Sequence, residues 1–464
     1  MASTNSAVAE NRAKRRKMML EDPLYKVIPV IALPMIISML VDSIYNIADT
    51  YFVSQLGRAA TAAVGVNDSL LHFMRSIALG FGMGASSYIS RLMGAKEEEE
   101  ACRVGTTTMF TSMIVLSSVA LLAFIFLSPL MTLLGATATA KPYSMDYGRF
   151  ILLSAPFTAG EVALSQLLRS EGSTRYSMIG MLCGCGINII LDPIFIHVLG
   201  LQVAGAAIAT TISKAISFIV LLTPFLRSKT LLEIKFRYFT PKASIYKEVA
   251  KMGIPTFLRS SMMTVASVVT NNVAGSFSDS ALAAVSVANK CSRLVGGAIM
   301  GFGQGFQPVA GYCYGAKKYK RVRDAFWTCT VEGISVCIVL AIAMFIFSDK
   351  LIAIFASDDA DILAIGGLML RSQCLTMGLH VWVMIINGIF QALGKAIPAG
   401  LLGLSRQVIC LIPCVIILSS LFGVTGLAVS QAAADVLSVG IALPMLIPLL
   451  MKLKKMPDGA AAKV

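Results

Sequence analysis

Gly80-Phe-Gly-Met-Gly84 is followed ten residues on by Gly94-Ala-Lys96, and Gly301-Phe-Gly-Gln-Gly305 is followed at the same distance by Gly315-Ala-Lys317. Sliding the chain against itself by 221 residues superimposes the two stretches. The match extends without a gap over 34–96 and 255–317, through Pro34/Pro255, Ala60/Ala281, Ala63/Ala284, Val64/Val285 and Val66/Val287. The same offset pairs Gly205 with Gly426. The chain is therefore an internal duplication. The glycine runs are not phosphate-binding loops, because they lie inside apolar stretches with no strand before them; close helix packing or bending is their expected role.

What is duplicated follows from composition. Hydrophobic residues make up 56% of the 464 and charged residues 14%, with a mean hydropathy of +0.77, too apolar to assemble a water-soluble surface. A spanning helix takes about 20 mostly apolar residues. Twelve such stretches are predicted, at 28–56, 60–92, 104–128, 148–169, 176–200, 203–226, 250–275, 281–313, 324–347, 365–391, 396–421 and 424–451. With an even number of spans per half, both halves begin on the same side and the repeat is parallel. The expected fold class is an all-α membrane protein of twelve transmembrane helices, in two six-helix lobes related by pseudo-twofold symmetry.

Most of the 39 Lys and Arg fall in segments that share a side with the N-terminus, which predicts that both termini are cytoplasmic. The expected organisation is an N-terminal tail over 1–26, an N-lobe over 27–228, a linker over 229–247, a C-lobe over 248–452 and a tail over 453–464. The net charge of +14 then reflects topology and contact with anionic lipid, and no nucleic-acid partner is expected because no basic stripe carries interleaved aromatics. The basic tail is not followed by a small-residue cleavage site, so it reads as the start of an uncleaved first helix. The ten Cys are scattered through spans and read as small packing residues.

Carboxylates inside the spans carry the chemistry, since each costs about 2.5–3.5 kcal/mol at the membrane centre on insertion scales. Asp49 lies eight residues before the outer end of span 1 near Gly57, and Asp192 eight before that of span 5 near Gly200. At the helical rise, both sit about 12 Å below the outer surface. Thr210 and Thr211 fall at the same depth on span 6, and Asn188 is one turn from Asp192 on the same face. Pro193 lacks an N–H and so leaves the Ile189 carbonyl without its helical partner. Oxygen ligands of this kind suit a hard cation. Two carboxylates so close in a low dielectric cannot both hold charge cheaply, which suits a proton equally.

These residues also carry a family resemblance. Ser43-Ile-Tyr-Asn-Ile-Ala-Asp-Thr-Tyr-Phe-Val53, Ser90-Arg-Leu-Met-Gly-Ala-Lys96, Leu168-Arg-Ser-Glu-Gly172, Asn188-Ile-Ile-Leu-Asp-Pro-Ile-Phe195, Gly205-Ala-Ala-Ile-Ala-Thr210 and the stretch Gly303 to Lys317 resemble the multidrug and toxic compound extrusion (MATE) transporters, in their bacterial DinF-like and MepA-like branch. The resemblance implies export of drug-like, often cationic amphipaths in exchange for H⁺ or Na⁺, with no cofactor and no enzymatic activity. It implies a monomer in the bacterial inner membrane. Carried over by motif, Asp49, Asn188, Asp192 and Thr210 form the ion-coupling site and would be the ligands of a Na⁺. Pro34, Tyr45 and Thr211 support it, Pro34 at the point where helix 1 of some relatives is thought to bend. Asp42, Asn46 and Glu161 are candidates for the substrate cavity, although Asp42 could simply bond its Ser and Tyr neighbours. A lipid-linked oligosaccharide flippase of the same superfamily is the alternative function. The helix-7 counterpart of Asp49 is Thr270, so coupling is expected in the first lobe only.

Overall fold

The computed structural model describes residues 13–353 and 359–459, and its regular structure there is entirely helical. After a helix over 13–20 come α1 (Leu24–Ser54), α2 (Arg58–Ala95), α3 (Glu98–Ile125), α4 (Leu127–Leu133), α5 (Lys141–Leu153), α6 (Ala155–Ser170), α7 (Thr174–Pro193) and α8 (Gln202–Leu226). The second half comprises α9 (Ala243–Phe277), α10 (Asp279–Gly315), α11 (Tyr319–Ile346), α12 (Ser348–Ala353), α13 (Ala360–Ala392), α14 (Ala396–Leu404) and α15 (Ile412–Lys455). Every predicted span coincides with helix. Among the described residues, seven helices are long and apolar enough to cross a membrane by themselves, with Ala396–Lys455 counted as one of 60 residues.

Two boundaries differ from the sequence expectation. Span 4, predicted at 148–169, is a bent pair, with α5 and α6 meeting at 50°. Lys141, Asp146 and Arg149 lower the hydropathy of its first segment, and the second opens with a proline in its first turn, where the missing N–H costs nothing. Spans 11 and 12 run on through a π-helical stretch, Ser405–Leu411, and are separated only at Gly423, whose φ of 60° and ψ of −138° suit glycine alone.

Glycines set the tight turns and crossings in both repeats. A Cβ on Gly426 would stand 1.8 Å from the Leu418 carbonyl oxygen, and one on its repeat partner Gly205 would stand 2.7 Å from that of Phe195. In the opening glycine runs, a Cβ on Gly84 would meet the Val249 carbonyl oxygen at 2.2 Å, and one on Gly305 would meet Ala32 Cα at 2.7 Å. Backbone-to-backbone approach, rather than phosphate binding, is what these motifs provide.

The chain forms two compact units. The first holds Ile37–Ile254 with residues 13–18, and the second holds Met19–Ile36 with Pro255 onward. The division thus runs through the middle of α1 and of α9, just after Pro34 and just before Pro255, rather than along the linker. In the first unit Val53, Val64, Met74, Leu116, Met131, Tyr147, Ile151 and Ala207 form one buried apolar cluster that fixes the upper parts of α1, α5 and α8.

The first unit also secures residues 13–18. Arg15 pairs with Glu171 at 3.0 Å and donates to Ser173 Oγ, while Glu171, fully buried, accepts from the backbone N–H of Leu231 at 2.7 Å and of Leu232 at 3.0 Å. Glu171→Ala strands the guanidinium and two buried donors, so we expect a loss of about 3–5 kcal/mol. Thermal unfolding of the purified protein checks this; a variant as stable as the parent would show that the cluster carries no net stability.

Candidate functional site

The first unit brings together the residues that depth counting placed in one layer. Asp192, Asn188 and Thr210 are 0%, 2% and 3% exposed, so a polar set from α7 and α8 is closed off from solvent. With its amide oriented by the hydrogen-bond network, Asn188 donates from Nδ2 to Asp192 Oδ2 at 2.8 Å, and its oxygen accepts from the Thr210 N–H at 3.2 Å. Asp192 and Asp49 lie within hydrogen-bonding reach of each other, and the Tyr45 hydroxyl lies near Thr210. Asp49 Oδ1 is buried and has no donor. A carboxylate has only acceptors, so two carboxyl groups can hydrogen-bond only when one carries a proton.

Pro193 ends the α-helical part of α7, and a π-helical stretch, Ile194–Val198, follows directly. Such stretches concentrate at functional positions because they leave the backbone ladder incomplete. The Asp192 carboxyl therefore stands where the helix is least regular.

Several predicted residues are placed elsewhere. The Thr211 hydroxyl donates to the carbonyls of Ala207 at 2.8 Å and Phe150 at 2.9 Å, so it ties α8 to α5 instead of joining the carboxylates. Successive helical residues point about 100° apart, which depth alone does not register. Asp42 pairs with Arg75 at 3.5 Å, and Asn46 Nδ2 donates to the Asp42 carbonyl at 2.5 Å. Glu161 pairs with Lys214 at 3.0 Å and accepts from Ser217 Oγ at 3.1 Å. Pro34 lies within α1, which continues helical past it, in the half assigned to the second unit.

Sequence reasoning missed Tyr147. It is 1% exposed and interacts electrostatically with Asp49, Asp192 and Tyr45. Its segment is charged enough to lie outside the predicted span, so no depth could be assigned to it. The cations Arg75 and Lys214 were legible as intramembrane charges, yet their acid partners lie on other helices and no spacing rule links them.

The second unit lacks a counterpart of this arrangement. The repeat offset puts Thr270, Ile409, Pro413 and Gln431 at the positions of Asp49, Asn188, Asp192 and Thr210. Thr270 spends its hydroxyl on the Ala266 carbonyl at 2.9 Å.

Duplicated helical lobes with a polar, carboxylate-lined site buried in one of them define a membrane transporter rather than an enzyme. The chain belongs to the MatE family, whose model matches residues 34–194 and again 255–416. It is 29% identical to the multidrug export protein MepA of Staphylococcus haemolyticus, over 89% of this chain and 91% of that protein. A MATE solved in complex with MaL6 superimposes with a TM-score of 0.91 at 25% identity, covering 95% of this chain and 99% of that one. An outward-facing multidrug resistance MATE family transporter of the MOP superfamily gives a TM-score of 0.90 at 26% identity, covering 94% and 98%.

Proposed function

We propose that this chain exports drug-like, amphipathic and often cationic compounds by alternating access, in antiport with H⁺ or Na⁺ taken up in the first lobe. It acts as a monomer in a bacterial inner membrane with both termini in the cytoplasm. The observation that supports this most is the Asp49–Asp192 pair: a fully buried carboxyl and a half-buried one in mutual hydrogen-bonding reach, with the cations Arg75 and Lys214 of the same unit committed to Asp42 and Glu161.

Such a pair holds one proton between its oxygens and can release or gain charge when access to water changes. The direct carboxyl–carboxyl contact favours H⁺ as the coupling ion. Asn188 and Thr210 add the amide and hydroxyl oxygens that a Na⁺ would require. Substrate is expelled as the ion enters because the two states of the lobe bind the ion with different affinity, and this differential is the whole of the coupling energy.

The test is efflux of a fluorescent lipophilic cation from proteoliposomes under an imposed pH gradient or an imposed Na⁺ gradient. Acceleration by the pH gradient alone is expected. Acceleration by Na⁺ alone would reassign the ion. If neither gradient drove any such compound, drug export would be excluded and a lipid-linked flippase would become the better reading.

A further inference from the structure

The second unit contains a cation that its own acids leave unneutralised. Arg259 lies on α9 nine residues past the predicted start of its span at 250, about 14 Å along the helix at the usual rise. Its stem packs on α14, where a Cβ on Gly403 would stand 3.0 Å from Arg259 Cδ. Nε is buried without a partner, and among the described residues the guanidinium makes no hydrogen bond or ion pair.

The acid in this region is already occupied. Asp435 of α15 accepts from Arg406 Nε at 2.6 Å and from the Thr376 hydroxyl at 3.3 Å, and lies 3.6 Å from His380 Nδ1. Arg259 interacts electrostatically with that same His380. Glu332 of α11 forms no ion pair with Arg259 among the described residues, and its Oε2 is buried without a hydrogen-bond partner. Asp435 is therefore shared by the Arg406 guanidinium and the His380 imidazole, and forms no ion pair with Arg259 among the described residues.

In the first unit Arg75 is matched by Asp42 and Lys214 by Glu161. The repeat offset puts Asp435 at the position of Lys214 and Trp382 at that of Glu161, so the second unit reverses the sign at one of these positions and drops the charge at the other.

A guanidinium held at membrane depth without a counter-ion marks a functional position. Its planar fork of donors matches a carboxylate bidentately. We propose that Arg259 receives the carboxylate of zwitterionic or anionic amphipaths carried by this protein. The proposal rests on the export reading above and assigns to one residue of the second unit the part of such a substrate that it would hold.

Rhodamine B and its ethyl ester differ only in that carboxylate and serve as the probe pair. Their binding is measured by fluorescence polarisation to the full chain in phosphatidylcholine nanodiscs, for the parent, Arg259→Gln and Arg259→Lys. Arg259→Gln weakens rhodamine B by about tenfold, the loss of a charge-assisted contact, and leaves the ester within about twofold. Arg259→Lys, which keeps the charge and guards against a folding defect in the first variant, gives an intermediate loss for rhodamine B only.

Equal losses for both dyes, or no loss for either, would overturn the proposal while leaving export standing. So would a parent that binds only the ester. A parent that binds neither dye would overturn it too, while the export reading is decided by the efflux assay above. A second arm adds phosphatidylglycerol to the nanodiscs. If Arg259→Gln altered only competition by that lipid, and not rhodamine B affinity in its absence, Arg259 would be a headgroup site and the proposal would fail.

Discussion

Asp192→Asn is expected to slow gradient-driven efflux by roughly 5–150-fold, the range of a coupling free energy of about 1–3 kcal/mol. The substitution keeps the size of the side chain and preserves an acceptor for Asn188 Nδ2, so the buried layer stays packed. On the proposed mechanism it removes what the pair exchanges, a proton or cation on the carboxyl oxygens. The lobe is then held in its ion-loaded form and no longer responds to the gradient. Equilibrium binding of the transported dye should weaken by the same factor and lose its dependence on pH, because a lobe fixed in its ion-loaded form disfavours substrate by the coupling free energy.

Asp49→Asn should behave in the same way, and the double variant should be no worse than either alone, since residues acting as one unit are not additive. Efflux assays in proteoliposomes with and without a pH gradient check all three. If both single variants responded to the gradient like the parent, coupling would lie elsewhere in the chain.

Gly426→Ala should have the largest effect on folding of the glycine substitutions. The added carbon would stand 1.8 Å from the Leu418 carbonyl oxygen, and the obstacle is backbone rather than a side chain that can swing away. The turn at Gly423 must open to admit it, at a cost of about 3 kcal/mol, the upper part of the overpacking range. Gly205→Ala, with its closest contacts at 2.7 Å, should cost less, and Gly440→Ala, with nothing within 4 Å, should be tolerated. Size-exclusion profiles after heating rank the three. An order other than Gly426, Gly205, Gly440 would mean that the turn is not what these glycines protect.

The sequence went furthest where a constraint was one-dimensional. Glycine identities at one offset exposed the repeat, and helical rise gave Asp49, Asn188, Asp192 and Thr210 a common depth without any knowledge of packing. It went wrong where direction around the helix decided the outcome. Thr211 shares that depth yet turns its hydroxyl to Phe150. Tyr147 escaped notice because its charged neighbours masked the span it belongs to. The partners of Asp42 and Glu161 were illegible for a third reason: Arg75 and Lys214 reach them across helices, and cross-helix distance has no signature in a single chain.

The passage of α1 and α9 from one compact unit to the other has an evolutionary consequence. Each repeat, taken as a continuous stretch, lends the first half of its leading helix to its sibling: Met19–Ile36 goes to the second unit, and the start of α9 up to Ile254 goes to the first. A lone ancestral half would have lacked that segment unless a second copy supplied it. Two copies exchanging that segment would supply it to each other, and joining them in one chain makes such an exchange permanent. The unit that was copied is not the unit that packs.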